Sequence, residues 1–210
     1  MLTVLIDYES GNLHSAEKAF QRMARETGGG EVLVTDKAED VLRADRVVLP
    51  GDGAFPACAK ALKGHENLFE ALREVVEEKA RPFMGICVGM QLMCRIGHEY
   101  EETAGLGWID GEVTRIEAEG LKVPHMGWND LVIDRPHPVL AGIESGQHAY
   151  FVHSYHMAVA APDQLIAHVD YGHPVTAIVG RDNMIGTQFH PEKSQATGLK
   201  MIANFLGWAP

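Results

Sequence analysis

Cys87 sits in Gly85-Ile86-Cys87-Val88-Gly89-Met90-Gln91, between a run that reads as strand and one that reads as helix. A Gly-x-nucleophile-x-Gly segment in that setting makes a tight elbow. Small flanking residues let the backbones close, and the middle side chain is pushed out over the sheet edge. A cysteine there faces the N–H groups that open a helix, which favour its thiolate. The next backbone N–H, that of Val88, can donate to an oxyanion. The alternative is that this cysteine, in PFMGICVGMQLMC, is a small buried hydrophobe.

A second segment, Gln188-Phe189-His190-Pro191-Glu192-Lys193-Ser194, follows another strand-like run. His190 and Glu192 are two residues apart, so on an extended backbone they share one side. A carboxylate beside an imidazole orients the ring and stabilises its charged form. By themselves the two also fit a surface histidine and an exposed glutamate. Taken with the elbow, Cys…His…Glu fits nucleophilic acyl transfer. A third segment, Pro50-Gly51-Asp52-Gly53, closes a further strand; paired glycines let backbone N–H groups turn toward a developing negative charge, and a plain β-turn explains them as well.

These pieces need a frame that brings strand ends together. Residues 3–8 read as a buried strand, and 31–35, 46–49 and 82–86 as further strands. Between them, Leu13, Ala16, Phe20 and Met23, then Leu68, Leu72, Val75 and Val76, recur at helical spacing. Residues 89–95 read as the elbow helix. Strands alternating with helices imply a mostly parallel sheet covered on both faces, with ligands outside the carboxyl ends of its strands. After about residue 107 the rhythm changes. Runs at 112–118, 129–134, 148–160, 164–171, 175–180 and 184–190 are strand-like and closely spaced, which predicts a mixed or antiparallel second half before a closing helix near Leu199–Leu206. No linker or repeat divides residues 1–210, so the chain reads as one α/β domain.

Composition excludes several function classes. The 18 Lys and Arg against 29 Asp and Glu give a net charge of −11, without the basic cluster that nucleic acid or an anionic membrane surface requires. The longest uncharged stretch, Ser145 to Pro162, holds three histidines and several other polar side chains, so it is no membrane span. The opening MLTVLIDYESGN is broken by Asp7 and Glu9 and does not read as a secretory leader. Three cysteines without C-x-x-C spacing are neither a disulfide framework nor a zinc site, and a reducing cytoplasm is the expected setting. The scattered histidines predict no metal site.

Pro-Gly-Asp-Gly, the elbow and the His-Pro-Glu segment, in this chain order, resemble the class I (triad) glutamine amidotransferases along the whole chain. Val123-Pro124-His125-Met126-Gly127-Trp128-Asn129, Tyr150-Phe151-Val152-His153-Ser154-Tyr155 and Lys193-Ser194 resemble those members that feed ammonia to a (β/α)₈-barrel cyclase in histidine biosynthesis. The resemblance implies hydrolysis of L-glutamine to glutamate and ammonia, without cofactor or metal. In it, Cys87 is the nucleophile, His190 the proton carrier and Glu192 its orienting acid. Val88 and the Gly51, Asp52, Gly53 loop supply oxyanion donors. Gln91, Glu99, His153, Ser154 and Tyr155 match positions that hold glutamine, while Asn12, Tyr150 and Lys193 match positions near the cyclase partner or the ammonia route. The family carries an apolar residue where this chain has Asp52. A carboxylate close to an oxyanion opposes catalysis, so its side chain must point away or another loop N–H must donate. The rival readings are the glutaminase of another amidotransferase complex and a general cysteine hydrolase.

Overall fold

The computed structural model describes residues 1–9, 13–65 and 67–210. In chain order the elements are β1 (Leu2–Ile6), α1 (His14–Thr27), β2 (Glu31–Thr35), α2 (Ala38–Leu42), β3 (Arg46–Gly51), α3 (Phe55–Gly64), α4 (Leu68–Arg73), β4 (Phe83–Cys87) and α5 (Val88–Gln91). There follow β5 (Ile96–Gly97), β6 (Thr103–Ala104), β7 (Gly111–Arg115), β8 (His125–Asp130), β9 (Val132–Ile133), β10 (His148–His153), β11 (Tyr155–Val159), β12 (Leu165–Asp170), β13 (Pro174–Arg181), β14 (Met184–Thr187) and α6 (Gln195–Gly207).

The main sheet runs β2-β1-β3-β4-β14-β13-β12-β9. Its first five strands are parallel and its last three are joined antiparallel. Val4, Leu5 and Ile6, then Val47, Val48 and Leu49, then Phe83, Met84 and Ile86 are buried in succession. Such unbroken apolar runs suit strands covered on both faces. The step from β1 to β2 goes one way along the sheet and the steps to β3 and β4 go the other. With right-handed crossovers, that reversal puts α1 on one face and α2, α3 and α4 on the other. α6 returns to pack on α1, with Phe205 edge-on to Phe20 at 6.3 Å. Two smaller sheets, β10-β8 and β11-β7-β5-β6, build out the second half.

This topology makes the carboxyl ends of β3, β4 and β14 neighbours. Gly51 pairs with Cys87 across β3 and β4, and Ile86 with Thr187 across β4 and β14. The three chemistry-bearing segments therefore leave the sheet side by side. Glycine is required where they cross. A Cβ on Gly85 would stand 2.6 Å from the Gly89 carbonyl oxygen, and one on Gly51 2.6 Å from the Gly89 nitrogen.

Several boundaries differ from the sequence reading. The elbow helix ends at Gln91 rather than Arg95, because Met93 and Cys94 donate to Met90 and Gln91 in three-residue turns that steer the chain toward β5. The run 148–160 is two strands in different sheets, broken at Ser154, and 129–134 is divided between β8 and β9. β14 stops at Thr187, freeing the residues from Gln188 onward for the site. α3 was not foreseen, although Phe55, Cys58, Ala59 and Leu62 form its buried stripe at helical spacing.

Candidate active site

Cys87 is the last residue of β4 and caps α5 with φ 55° and ψ −113°. A non-glycine residue in that region carries strain of about 1–3 kcal/mol, which the surrounding packing must sustain. The side chain is held where the ends of β3 and β14 flank it. Val88 is the first residue of α5, whose opening N–H groups have no intrahelical acceptor.

His190 and Glu192 meet as their spacing predicted, by a different local route. Pro191–Lys193 forms a 3-10 turn, not an extended strand, and the turn brings Glu192 Oε1 to 2.8 Å from His190 Nδ1. A carboxylate only accepts, so Nδ1 carries the proton and Nε2 is the nitrogen left for the Cys87 sulfur. Both partners are buried, at 8% and 6% side-chain exposure. His190 is anchored at its backbone as well. Its N–H donates to the Tyr150 carbonyl at 3.2 Å, and its carbonyl accepts from Ser194 Oγ at 2.7 Å.

Burial alone would pull the His190 imidazole down from its ordinary 6.5. The hydrogen bonds and charges of Cys87 and Glu192 outweigh it and push the ring up to about 10. The unfolded chain gives up this proton near 6.5 and the folded one near 10, so the histidine's contribution to stability is whole below about pH 6.5 and is lost as pH rises through 10. Urea titrations should therefore show stability falling across that window, and falling less steeply in Glu192→Gln. A wild-type stability that stays flat from pH 6.5 to 10 contradicts the charged imidazole.

Burial pushes the other two thiols up, Cys58 to about 11 and Cys94 to about 12, so both are neutral side chains at ordinary pH. Among the described residues, no group of three or more His, Cys, Asp or Glu is placed to hold a metal ion.

A cavity of about 240 Å³ opens on Cys87. Asp52, Gly53, Val88, Gln91, Glu99, Pro124, Val152, His153, Ser154 and Tyr155 line it. All five residues that sequence placed at the glutamine end are thus on its wall. Gln91 is no helix-surface residue: it is 3% exposed and donates to the Tyr155 carbonyl at 3.0 Å and to Gln188 Oε1 at 3.1 Å. Glu99 Oε2 accepts the Phe55 N–H at 2.7 Å where α3 begins. Asp52 is exposed, and its carbonyl oxygen is turned toward the Cys58 thiol at 3.8 Å.

Gln188 was missed as a site residue. It is fully buried and its Nε2 donates to the Cys87 sulfur at 3.8 Å. Its place two residues before His190 was the only signal in the sequence.

A second cavity, about 80 Å³, is lined by Pro50, Gly51, Asp52, His190, Glu192 and Lys193 with the start of α1. Tyr150 packs its ring on exposed Trp128 at 5.7 Å, with exposed Met126 on the same strand. Asn12 lies outside the described residues. No helix among the described residues is long and apolar enough to cross a membrane.

The family model described as glutamine amidotransferase class-I matches residues 4–208. The chain is 70% identical over 212 residues to a Ruegeria pomeroyi protein named imidazole glycerol phosphate synthase subunit HisH, with both chains fully covered. A Rhodospirillum rubrum protein of the same name is 57% identical over 214 residues, again with full coverage. Among solved structures, a glutamine amidotransferase superposes with a TM-score of 0.73 at 19% identity, covering 98% of this chain and 99% of that one. The glutaminase domain of Trypanosoma brucei CTPS with bound acivicin gives 0.62 at 13% identity, covering 100% of this chain and 95% of that one. At those identities the likeness is one of fold.

Proposed function

The chain belongs to the class I glutamine amidotransferases, and from that premise we propose that it is the glutaminase subunit of an imidazole glycerol phosphate synthase. It hydrolyses L-glutamine to L-glutamate and ammonia, and hands the ammonia to a (β/α)₈-barrel cyclase subunit. The cyclase uses it to convert the ribulosyl intermediate PRFAR to imidazole glycerol phosphate and AICAR, in the cytoplasm. The observation that carries this reading is the buried Cys87, His190 and Glu192 array opening on a cavity of amino-acid size. Full-length identity to proteins named as that subunit supports the choice within the family.

The chemistry follows from the geometry. The Cys87 sulfur attacks the side-chain amide carbon of glutamine. The oxygen that becomes negative meets the Val88 N–H and an N–H of the 51–53 loop, where the exposed Asp52 side chain can stay clear of it. His190, charged and aligned by Glu192, gives its proton to the departing nitrogen, and ammonia leaves a γ-glutamyl thioester. Neutral His190 then takes a proton from water as the oxygen attacks the thioester, and the sulfur leaves as glutamate forms. Gln91, Glu99, Ser154 and Tyr155 hold the substrate glutamine, and His153 forms part of the wall they share. Lys193 and Tyr150 lie toward the cyclase; the part of Asn12 there rests on the resemblance alone. Exposed apolar Met126 and Trp128 beside Tyr150 are what a partner face requires.

Glutamate release from glutamine, with and without the cyclase and its ligand, tests the reading. The chain alone should turn over slowly and the liganded complex about a hundredfold faster or more, since the Gly-x-Gly loop can present either an N–H or a carbonyl to the oxyanion. Cleavage of peptides or esters with no glutamate from free glutamine would instead favour a general cysteine hydrolase.

A further inference from the structure

Behind the cavity wall runs a polar chain that the triad does not use. His125 is 2% exposed and His153 6%. The His125 ring is stacked on Phe151 at 4.9 Å and on Tyr171 at 4.0 Å. Burial pulls the two imidazoles down, to about 4 and about 3, so each is neutral with one proton to give.

The position of each proton follows from its neighbours. His153 Nδ1 is 2.9 Å from the Tyr155 carbonyl oxygen. A carbonyl only accepts, so Nδ1 holds the proton and Nε2 is an acceptor. His125 Nδ1 stands 3.1 Å from that Nε2 and must donate to it. His125 Nε2 is then the acceptor for Asn129 Nδ2 at 3.3 Å. The Asn129 amide is itself oriented, with Nδ2 donating to the Asp170 carbonyl at 3.0 Å and Oδ1 accepting from the Asp130 N–H at 2.8 Å. The three bonds from Asn129 through His125 and His153 all point the same way, toward Tyr155. The opposite proton order would set a ring lone pair against the carbonyl and leave buried acceptors unmatched.

The Tyr155 carbonyl is also where Gln91 Nε2 donates, and the other Gln91 proton goes to Gln188. Both Nε2 protons of Gln91 are thereby spoken for, and its side-chain oxygen is the group left to face the cavity. Both ring nitrogens of His153 are taken by protein groups, so the ring acts on the cavity through Tyr155 rather than by bonding a ligand.

We propose that Asn129 and His125 are positioning residues for substrate glutamine. They fix His153 as its Nδ1–H tautomer, which holds the Tyr155 carbonyl and with it Gln91 in the alignment that binds the substrate. This rests on the glutaminase reading and adds two residues to it that touch neither substrate nor thiol.

Two measurements test it. In long-range proton–nitrogen spectra of the chain labelled at histidine nitrogen, His125 and His153 should both carry the proton on Nδ1. A proton on Nε2 of either ring overturns the inference without any variant. Kinetics in the presence of the cyclase give the second readout. Asn129→Asp removes the proton donor, draws the His125 proton to Nε2 and breaks the order. KM for glutamine should rise about tenfold or more, with kcat within about threefold. Alkylation of Cys87 by iodoacetamide should keep its rate. His125→Asn, whose amide can donate where Nδ1 stood, should recover most of the KM that His125→Leu loses. An unchanged KM in Asn129→Asp, or a joint loss of kcat, KM and alkylation rate, overturns the proposal. A wild type that releases no glutamate overturns the glutaminase reading itself.

Discussion

Cys87→Ala should release glutamate at least about 10⁴-fold more slowly than wild type, with or without the cyclase, because on the proposed mechanism removing the nucleophile leaves only binding and oxyanion contributions. The other two cysteines cannot replace it: burial holds the Cys58 thiol up near 11 and that of Cys94 near 12. His190 is hydrogen-bonded to Cys87. The variant should still fold, since alanine can take the φ of 55° that cysteine already tolerates there. It should also still bind the cyclase, and added ammonium salts should support cyclisation by that complex. Mass spectrometry of wild type treated with a glutamine-mimicking alkylator should find the adduct on Cys87. Glutamate release by Cys87→Ala within tenfold of wild type, or an adduct on another residue, defeats the assignment.

The sequence was informative in proportion to how local each signal was. The elbow was readable because Gly85, Cys87 and Gly89 fall within five residues and each glycine answers a single backbone crossing. His190 and Glu192 were readable as a pair from a spacing of two, although that spacing works through a 3-10 turn rather than a strand. The parallel half announced itself in buried β-branched runs. The second half did not resolve as well, because the break at Ser154 and the division into small sheets depend on which strands meet across distance. The same limit hid α5's early end: Leu92, Met93 and Cys94 are all buried, so no polar face marked where the helix stops. Gln188 and the Asn129–His125–His153 chain were illegible for a related reason. An isolated glutamine or histidine has no periodicity, and its role appears only when its hydrogen-bond partners, 97 residues away for Gln188 and Gln91, are in place.

Glu192→Gln should lower kcat by about 10³-fold or more while leaving KM for glutamine within about threefold, since Glu192 does not line the cavity around the substrate. The carboxylate does two things at 2.8 Å from Nδ1. It keeps the proton on that nitrogen, so Nε2 is free to exchange one with the sulfur and the leaving group. It also stabilises the imidazolium that both steps pass through. An amide carries no charge for the second task. For the first, its NH₂ can turn to Nδ1 and impose the other tautomer, with Nε2 blocked by its own proton. The Glu192 side chain is almost fully buried, so solvent screens its charge little and the loss of that charge is felt strongly at His190. Glu192→Gln is also close to the wild-type shape, which separates lost charge from lost packing. A kcat within fivefold of wild type would mean that His190 needs no orienting acid, and that the raised imidazole owes its charge to Cys87 alone.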